Sequence, residues 1–162
     1  MPSRLPAQSS KFEWGDFALA IKSDEVTLTV ADIPELLERL QDMNWPGSYI
    51  IADFLPAFGT DLIEPIRGVL TSGDNIWTYW VLSSFKDKFD ETFWNMLKSE
   101  LLAISSSWNE EHSHMQALYI LARTKLIPTE VIRLKVREFR LDGRSQTDEC
   151  DEVDAMLSKI EP

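Results

Sequence analysis

Cysteine is nearly missing from this chain: Cys150 is the only one in 162 residues. A lone thiol closes no internal disulfide, and its acidic neighbours Glu149, Asp151 and Glu152 disfavour the reactive thiolate. Histidine is almost as scarce. His112 and His114 stand two residues apart, a spacing that turns helical side chains to nearly opposite sides, so no shared metal and no cofactor is expected. The six glycines are scattered singly and cannot build a phosphate cradle. No nucleophile elbow and no Cys/His metal spacing is present, so the chain shows no catalytic motif. No apolar run approaches the ~20 residues that span a bilayer. The first ten residues lack the apolar stretch of a signal peptide. No membrane is expected as a partner, and the cytoplasm is the expected compartment. Basic residues are also few, with 16 against 27 acids and a net charge of −11. A phosphate backbone is repelled by that balance, so nucleic acid is not an expected partner. A basic protein partner is favoured by the same charge, although acidity also serves solubility alone.

What remains is ordinary for a globular domain: 44% apolar and 27% charged residues. A chain of this length buries about 70% of its unfolded surface and needs no metal or disulfide to fold. Residues 1–10, with two prolines and three serines, read as a disordered tail ahead of one helical domain over 11–162.

The pattern is helical nearly throughout. Phe12, Phe17, Leu19, Ala20 and Ile21 make a short, imperfect amphipathic stretch. Val26–Val30 alternates like a strand but has no second strand to pair with, so it reads as an extended approach to the next helix. Asp32 is placed to cap a helix carrying Ile33, Leu36, Leu37 and Leu40. Asn44 is placed to cap the next, with Pro46 in its first turn and Gly59 at its end. Asp61 opens a helix that Gly73 stops, and Asp74 caps one holding Ile76, Trp77, Trp80, Val81 and Phe85. Asp90 opens a helix through Ile104, and Ser105–Ser107 breaks it. Asn109 caps a helix to about Lys125, Pro128–Thr129 starts one to about Leu141, and Asp148 caps an acidic last helix. Eight or nine helices joined by short turns make antiparallel neighbours.

Those helices repeat weakly. Tyr49–Phe54, Trp80–Phe85 and Tyr119–Arg123 each read aromatic, β-branched, aliphatic, small. Periods of roughly 30–45 residues with two helices each mark α-solenoids. The expected fold is therefore all-α, a HEAT-like α-solenoid of stacked antiparallel helix pairs.

Two segments carry most of the information. Gln41, Asp42, Asn44 and Trp45 form a polar cluster beside an indole, although helix capping alone also explains Asn44 and Pro46. Trp77, Tyr79 and Trp80 cannot all be buried on one helix face, since Tyr79 is turned about 100° from Trp80. These seven residues are the candidate partner face. The carboxylates Asp87, Asp90 and Glu91, and those of 149–154, read as caps and solvated faces. Arg133, Arg137 and Arg140 share a helical face, and nearby acids such as Glu130 are the expected partners.

Leu36–Pro46 and Asp74–Leu82 resemble the two hallmarks of a bacterial family labelled domain of unknown function 5071. Asp151–Leu157 resembles the acidic helix that ends its members. The resemblance implies a small HEAT-like helical protein and brings no activity with it. Extra length is expected between Leu101 and Pro128, as one additional helix pair. The functional expectation is a non-enzymatic protein-interaction module, in one version an immunity-type inhibitor of a bacterial toxin. The alternatives are a hydrolase-like enzyme with an acidic site in the repeat groove and, more weakly, a helical-repeat nucleic-acid binder.

Overall fold

The computed structural model describes residues 5–7, 10–142 and 147–160, and among them the regular structure is helical, with no strand. The α-helices in chain order are α1 (Lys11–Lys22), α2 (Ile33–Glu38), α3 (Ser48–Phe54), α4 (Ile63–Leu70) and α5 (Asn75–Phe85), then α6 (Glu91–Asn95), α7 (Lys98–Ser105), α8 (Ser113–Arg123), α9 (Thr129–Leu141) and α10 (Thr147–Ile160). Two 3-10 segments, Val30–Asp32 and Leu55–Leu62, precede α2 and α4.

Capping explains several of these boundaries. Asp74 Oδ1 accepts the Trp77 N–H at 2.9 Å, and Asp90 Oδ1 accepts the Phe93 N–H at 3.0 Å, as the sequence predicts for α5 and α6. Gly73 ends the preceding segment at φ +81°. Asn109 acts four residues before its helix proper, accepting the Ser113 N–H at 3.2 Å.

Other boundaries differ from expectation. Asn44 does not cap α3. Its own N–H is taken by Asp42 Oδ1 at 3.0 Å, and the helix starts after Gly47. Gly47 stands at φ +83°, and a Cβ there would sit 2.3 Å from the Ala18 Cβ of α1. Close approach of α1 to this turn therefore sets the helix start, which capping chemistry alone does not reveal. Asp32 turns back to the Thr29 N–H (2.7 Å) and hydroxyl (2.9 Å), so it braces the 3-10 turn before α2. Phe54 and Leu55 pass directly into the 3-10 segment, where Gly59 (φ +54°) makes the kink. The single helix expected over Asp90–Ile104 is two, broken at Met96–Leu97.

The packing centres on α8. Residues Ser113–Ala122 are all buried, with α5 and α7 packed against α8 and α10 covering it as well. A helix buried on every side is a core element. α1 packs on α3, and α9 on α10. Among the largest wholly buried side chains are Trp14, Trp94, Phe85, Leu36 and Leu55. The three repeated segments bury equivalent aliphatic positions, Ile51, Leu82 and Leu121. Within the expected tail, Leu5 is buried and the Ala7 carbonyl accepts the Trp14 Nε1–H at 3.2 Å, so the described part of that segment is docked. Asp142–Gly143, a turn signal in the sequence, lies partly outside the described residues. Among the described residues no helix is long and apolar enough to cross a membrane.

Candidate functional site

The seven residues of the expected face differ in burial and in partners. Gln41, Asp42 and Asn44 are exposed in the α2–α3 turn. Gln41 Nε2 donates to Asp74 Oδ2 at 3.5 Å, tying the turn to the start of α5. Trp45 is half-buried beside them, and its ring faces the guanidinium of Arg39 at 4.4 Å. Trp77 is also half-buried, and its Nε1–H donates to the Leu37 carbonyl at 2.9 Å, rooting it in the core. Tyr79 leans edge-on against Trp80, centroids 5.2 Å apart, and its hydroxyl pKa is raised by burial and by the charges of Glu149 and Glu152. Tyr79 is therefore within electrostatic reach of the α10 carboxylates.

Sequence reasoning missed Arg39, which organises that ledge. Its guanidinium lies between two indoles, 4.5 Å from Trp14 and 4.4 Å from Trp45, and only 3% of the residue is exposed. Nη2 donates to Glu38 Oε2 at 3.2 Å. Each cation–π contact contributes about 0.5–2 kcal/mol, the larger value applying where water is excluded. Arg39 thus clips α1 to the α2–α3 turn, while Glu38, Arg39, Gln41 and Trp45 line a shallow cavity of about 200 Å³. One carboxylate lines it, so it is not an acid pair.

A larger concavity, about 700 Å³, lies elsewhere. Its floor is apolar: Ile63 from α4, Met96 from the α6–α7 break, and Phe89 and Phe93 stacked at 3.8 Å and 9°. Thr60, Lys88 and Asp90 are polar members of its lining. Lys88 is engaged by Asp53 at 3.3 Å, and Asp90 caps α6. One wall is held from behind. Arg123 of α8 donates from Nε to the Lys86 carbonyl at 2.8 Å and from Nη2 to the Phe89 carbonyl. Asp87 accepts the Tyr119 hydroxyl at 3.0 Å and lies 3.6 Å from Arg123 Nε. Burial, then the bond to Asp87, pushes the Tyr119 phenol up to about 12. The groove is therefore preformed, as ligand sites of this volume commonly are. Its residues were legible only as core: Phe93 and Met96 fit one apolar helix face until the break at Met96–Leu97 exposes Met96 by 56%.

The histidines differ from expectation in geometry. His112 stands at φ +59° before α8, so the helical rule of opposed side chains does not apply, and the two rings lie 6.0 Å apart. His114 is wholly buried against Phe139, with Nδ1 accepting the Asn109 N–H at 3.4 Å. Burial, and then the proximity of His112, lowers its pKa to about 4, so it is neutral at pH 7. Among the described residues no three His, Cys, Asp or Glu side chains gather to hold a metal. Cys150 is buried. Arg140 pairs with Asp151 and, at 2.9 Å, with Asp154 of α10, rather than with Glu130 of its own helix.

Fold and groove together define an all-α domain with a pinned apolar concavity and a separate aromatic ledge. The chain belongs to the family described as domain of unknown function (DUF5071), whose model matches residues 19–125. No curated protein and no solved structure matches it. Ledge and groove both lie within the matched range. Of the stretch between Leu101 and Pro128, where additional length was expected, all but the last two residues lie within it, whereas α9, α10 and the acidic stretch Asp151–Leu157 lie beyond it.

Proposed function

We propose that this protein is a non-enzymatic protein-interaction module and that the groove between α4 and α6 is its partner site. The observation that carries the reading is a preformed apolar concavity in which Met96 is exposed and Phe89 half-buried over the buried Ile63 and Phe93, in a chain of net charge −11. Large apolar side chains left open to water in a rigid concavity favour an apolar anchor from a partner. With Lys88 engaged by Asp53, the rim charge falls to Asp90 and to exposed Glu91 and Asp61, each next in sequence to a lining residue. The partner segment is thus an apolar side chain flanked by Lys or Arg. The finer architecture we propose is HEAT-like stacking of antiparallel pairs, supported by the equivalent burial of Ile51, Leu82 and Leu121. A specific form of the function is inhibition of immunity type, with the acidic chain masking a basic toxin encoded by a neighbouring gene. The Gln41, Asp42, Asn44 and Trp45 ledge is a second contact surface in this reading.

The test is affinity capture from a lysate of the native organism with wild-type and Met96→Glu baits, quantified by mass spectrometry. Met96 is more than half exposed, so the variant should fold, which circular dichroism checks. The expected result is one stoichiometric basic protein whose recovery drops about tenfold or more with the variant, the loss of one anchor. Equal recovery by both baits, or none by either, overturns the reading.

A further inference from the structure

α9 has two faces with opposite preferences. Ile132, Val136 and Phe139 are buried, whereas Val131, Leu134 and Leu141 are exposed by 40%, 56% and 80%. On a helix of 3.6 residues per turn, 131, 134 and 141 fall within one stripe. Arg133, Arg137 and Arg140 run along one flank of that stripe, with Arg140 paired to Asp151 and Asp154, and Glu138 lies within the stripe, one turn from Leu134. Between Arg133 and Arg140 stand four bases, the densest basic run in an acidic chain. Leu134, an exposed apolar anchor beside exposed Arg137, has the chemistry that the groove selects: an open apolar floor with Asp90 on its rim.

We infer that the groove takes α9 of a second copy of this chain, so that the protein associates head to tail through two different patches. This rests on the groove being the partner site and names a further occupant for it. The contact is heterologous: each chain offers a groove at one place and a helix at another. Such contacts close into rings or extend, and they leave one groove open at the end of any open assembly. A basic partner that enters the same groove competes with self-association, so the assembly state reports whether the partner is bound. Leu134 enters over the Phe89–Phe93 stack, and Arg137 comes to the Asp90 side of the rim. The contact is weakened by salt, because its flank is electrostatic and exposed.

The test is sedimentation velocity over a concentration series with wild type, Leu134→Glu, Met96→Glu and an equimolar mixture of the two variants. Both substitutions are at residues 56% exposed, so the fold is retained. Wild type is expected to rise above the 18.6 kDa monomer with concentration, and each variant alone to shift that rise about tenfold or more higher, the effect of burying a charge in an apolar contact. The mixture is expected to form a one-to-one dimer, since the Leu134→Glu chain keeps its groove and the Met96→Glu chain keeps its helix. A wild type that stays monomeric, variants that associate as well as wild type, or a mixture that stays monomeric each overturn the inference. Capture of a basic partner by a strictly monomeric wild type, with loss in Met96→Glu, overturns self-association alone and leaves the binding reading standing.

Discussion

At the scale of single residues, close approach and burial decide more than residue type. Gly47 is required twice, by its positive φ and by the Ala18 Cβ that a methyl group would strike. Gly47→Ala is expected to cost roughly 2–4 kcal/mol, combining a left-handed residue with overpacking. Gly68, exposed within α4 with nothing near a built Cβ, is the contrast. Gly68→Ala should gain about 0.5–1 kcal/mol. Urea unfolding of the two variants checks both signs, and equal effects would contradict the packing at Gly47. His114 supplies the pH dependence. Its native pKa of about 4 lies below its ordinary 6.5, so between those values the unfolded chain binds more protons than the native one. Stability is therefore full above about pH 6.5 and falls as pH drops toward 4. Between pH 7 and pH 5 the loss should reach about 2 kcal/mol, at 1.36 kcal/mol per pKa unit. Urea midpoints at those two values measure it, with His114→Gln expected to flatten the difference. An unchanged slope in that variant would assign the acid sensitivity to the carboxylates instead. The clip formed by Arg39 belongs to this scale too. Neither indole stands near Arg39 in a way that helical spacing could predict, since Trp14 comes from α1 and Trp45 from the turn after α2.

At the scale of elements, α8 sets the logic. Ser113–Ala122 has no solvent face, so each neighbouring helix covers part of a shared core. The family match stops at residue 125, but α10 is among the helices packed most extensively on α8. Lys86 pairs with Glu152, and Lys86 Nζ lies 4.4 Å over the Tyr119 ring, joining the end of α5 to α10 and α8. Removing α9 and α10 would expose Leu118, Leu121 and their neighbours wherever those helices cover them. A fragment spanning 19–125 is thus expected to lose cooperative unfolding and dispersed amide resonances, because leaving several large apolar side chains uncovered costs about 1.5–3 kcal/mol each. A heteronuclear NMR spectrum of that fragment makes the comparison. A well-dispersed spectrum would show that the C-terminal pair is an appendage rather than part of the core. The break at Met96–Leu97 is the other decisive element boundary, since it turns Met96 outward and opens the groove.

At the scale of the whole molecule, charge and shape act together. With 27 acids against 16 bases, the field of the chain is negative at a distance, and under the proposed function the groove adds an apolar contact at close range. Internal pairing sharpens that field. Arg39, Arg67, Lys86, Lys88, Arg123 and Arg140 all pair with carboxylates of this chain. This is why the capture and sedimentation outcomes belong to the molecule as a whole: each requires a groove in one region and a charge pattern in another.

The sequence by itself determined the helical class, the family, the caps at Asp74 and Asp90, and the scarcity of catalytic and metal-ligating motifs. All of these depend on neighbours within about one helical turn, where periodicity and side-chain chemistry act directly. It also marked Trp45 and Trp77 as special without showing that one stacks on Arg39 and the other is rooted on Leu37. Only the tertiary structure decided that α3 starts after Gly47, that His112 and His114 approach each other, and that Met96 is exposed beside Phe89 in a concavity rather than closed into the core with Phe93. Each of those depends on where a helix stops against a distant partner. That stopping point is set by packing between residues far apart in the chain, which no local pattern encodes.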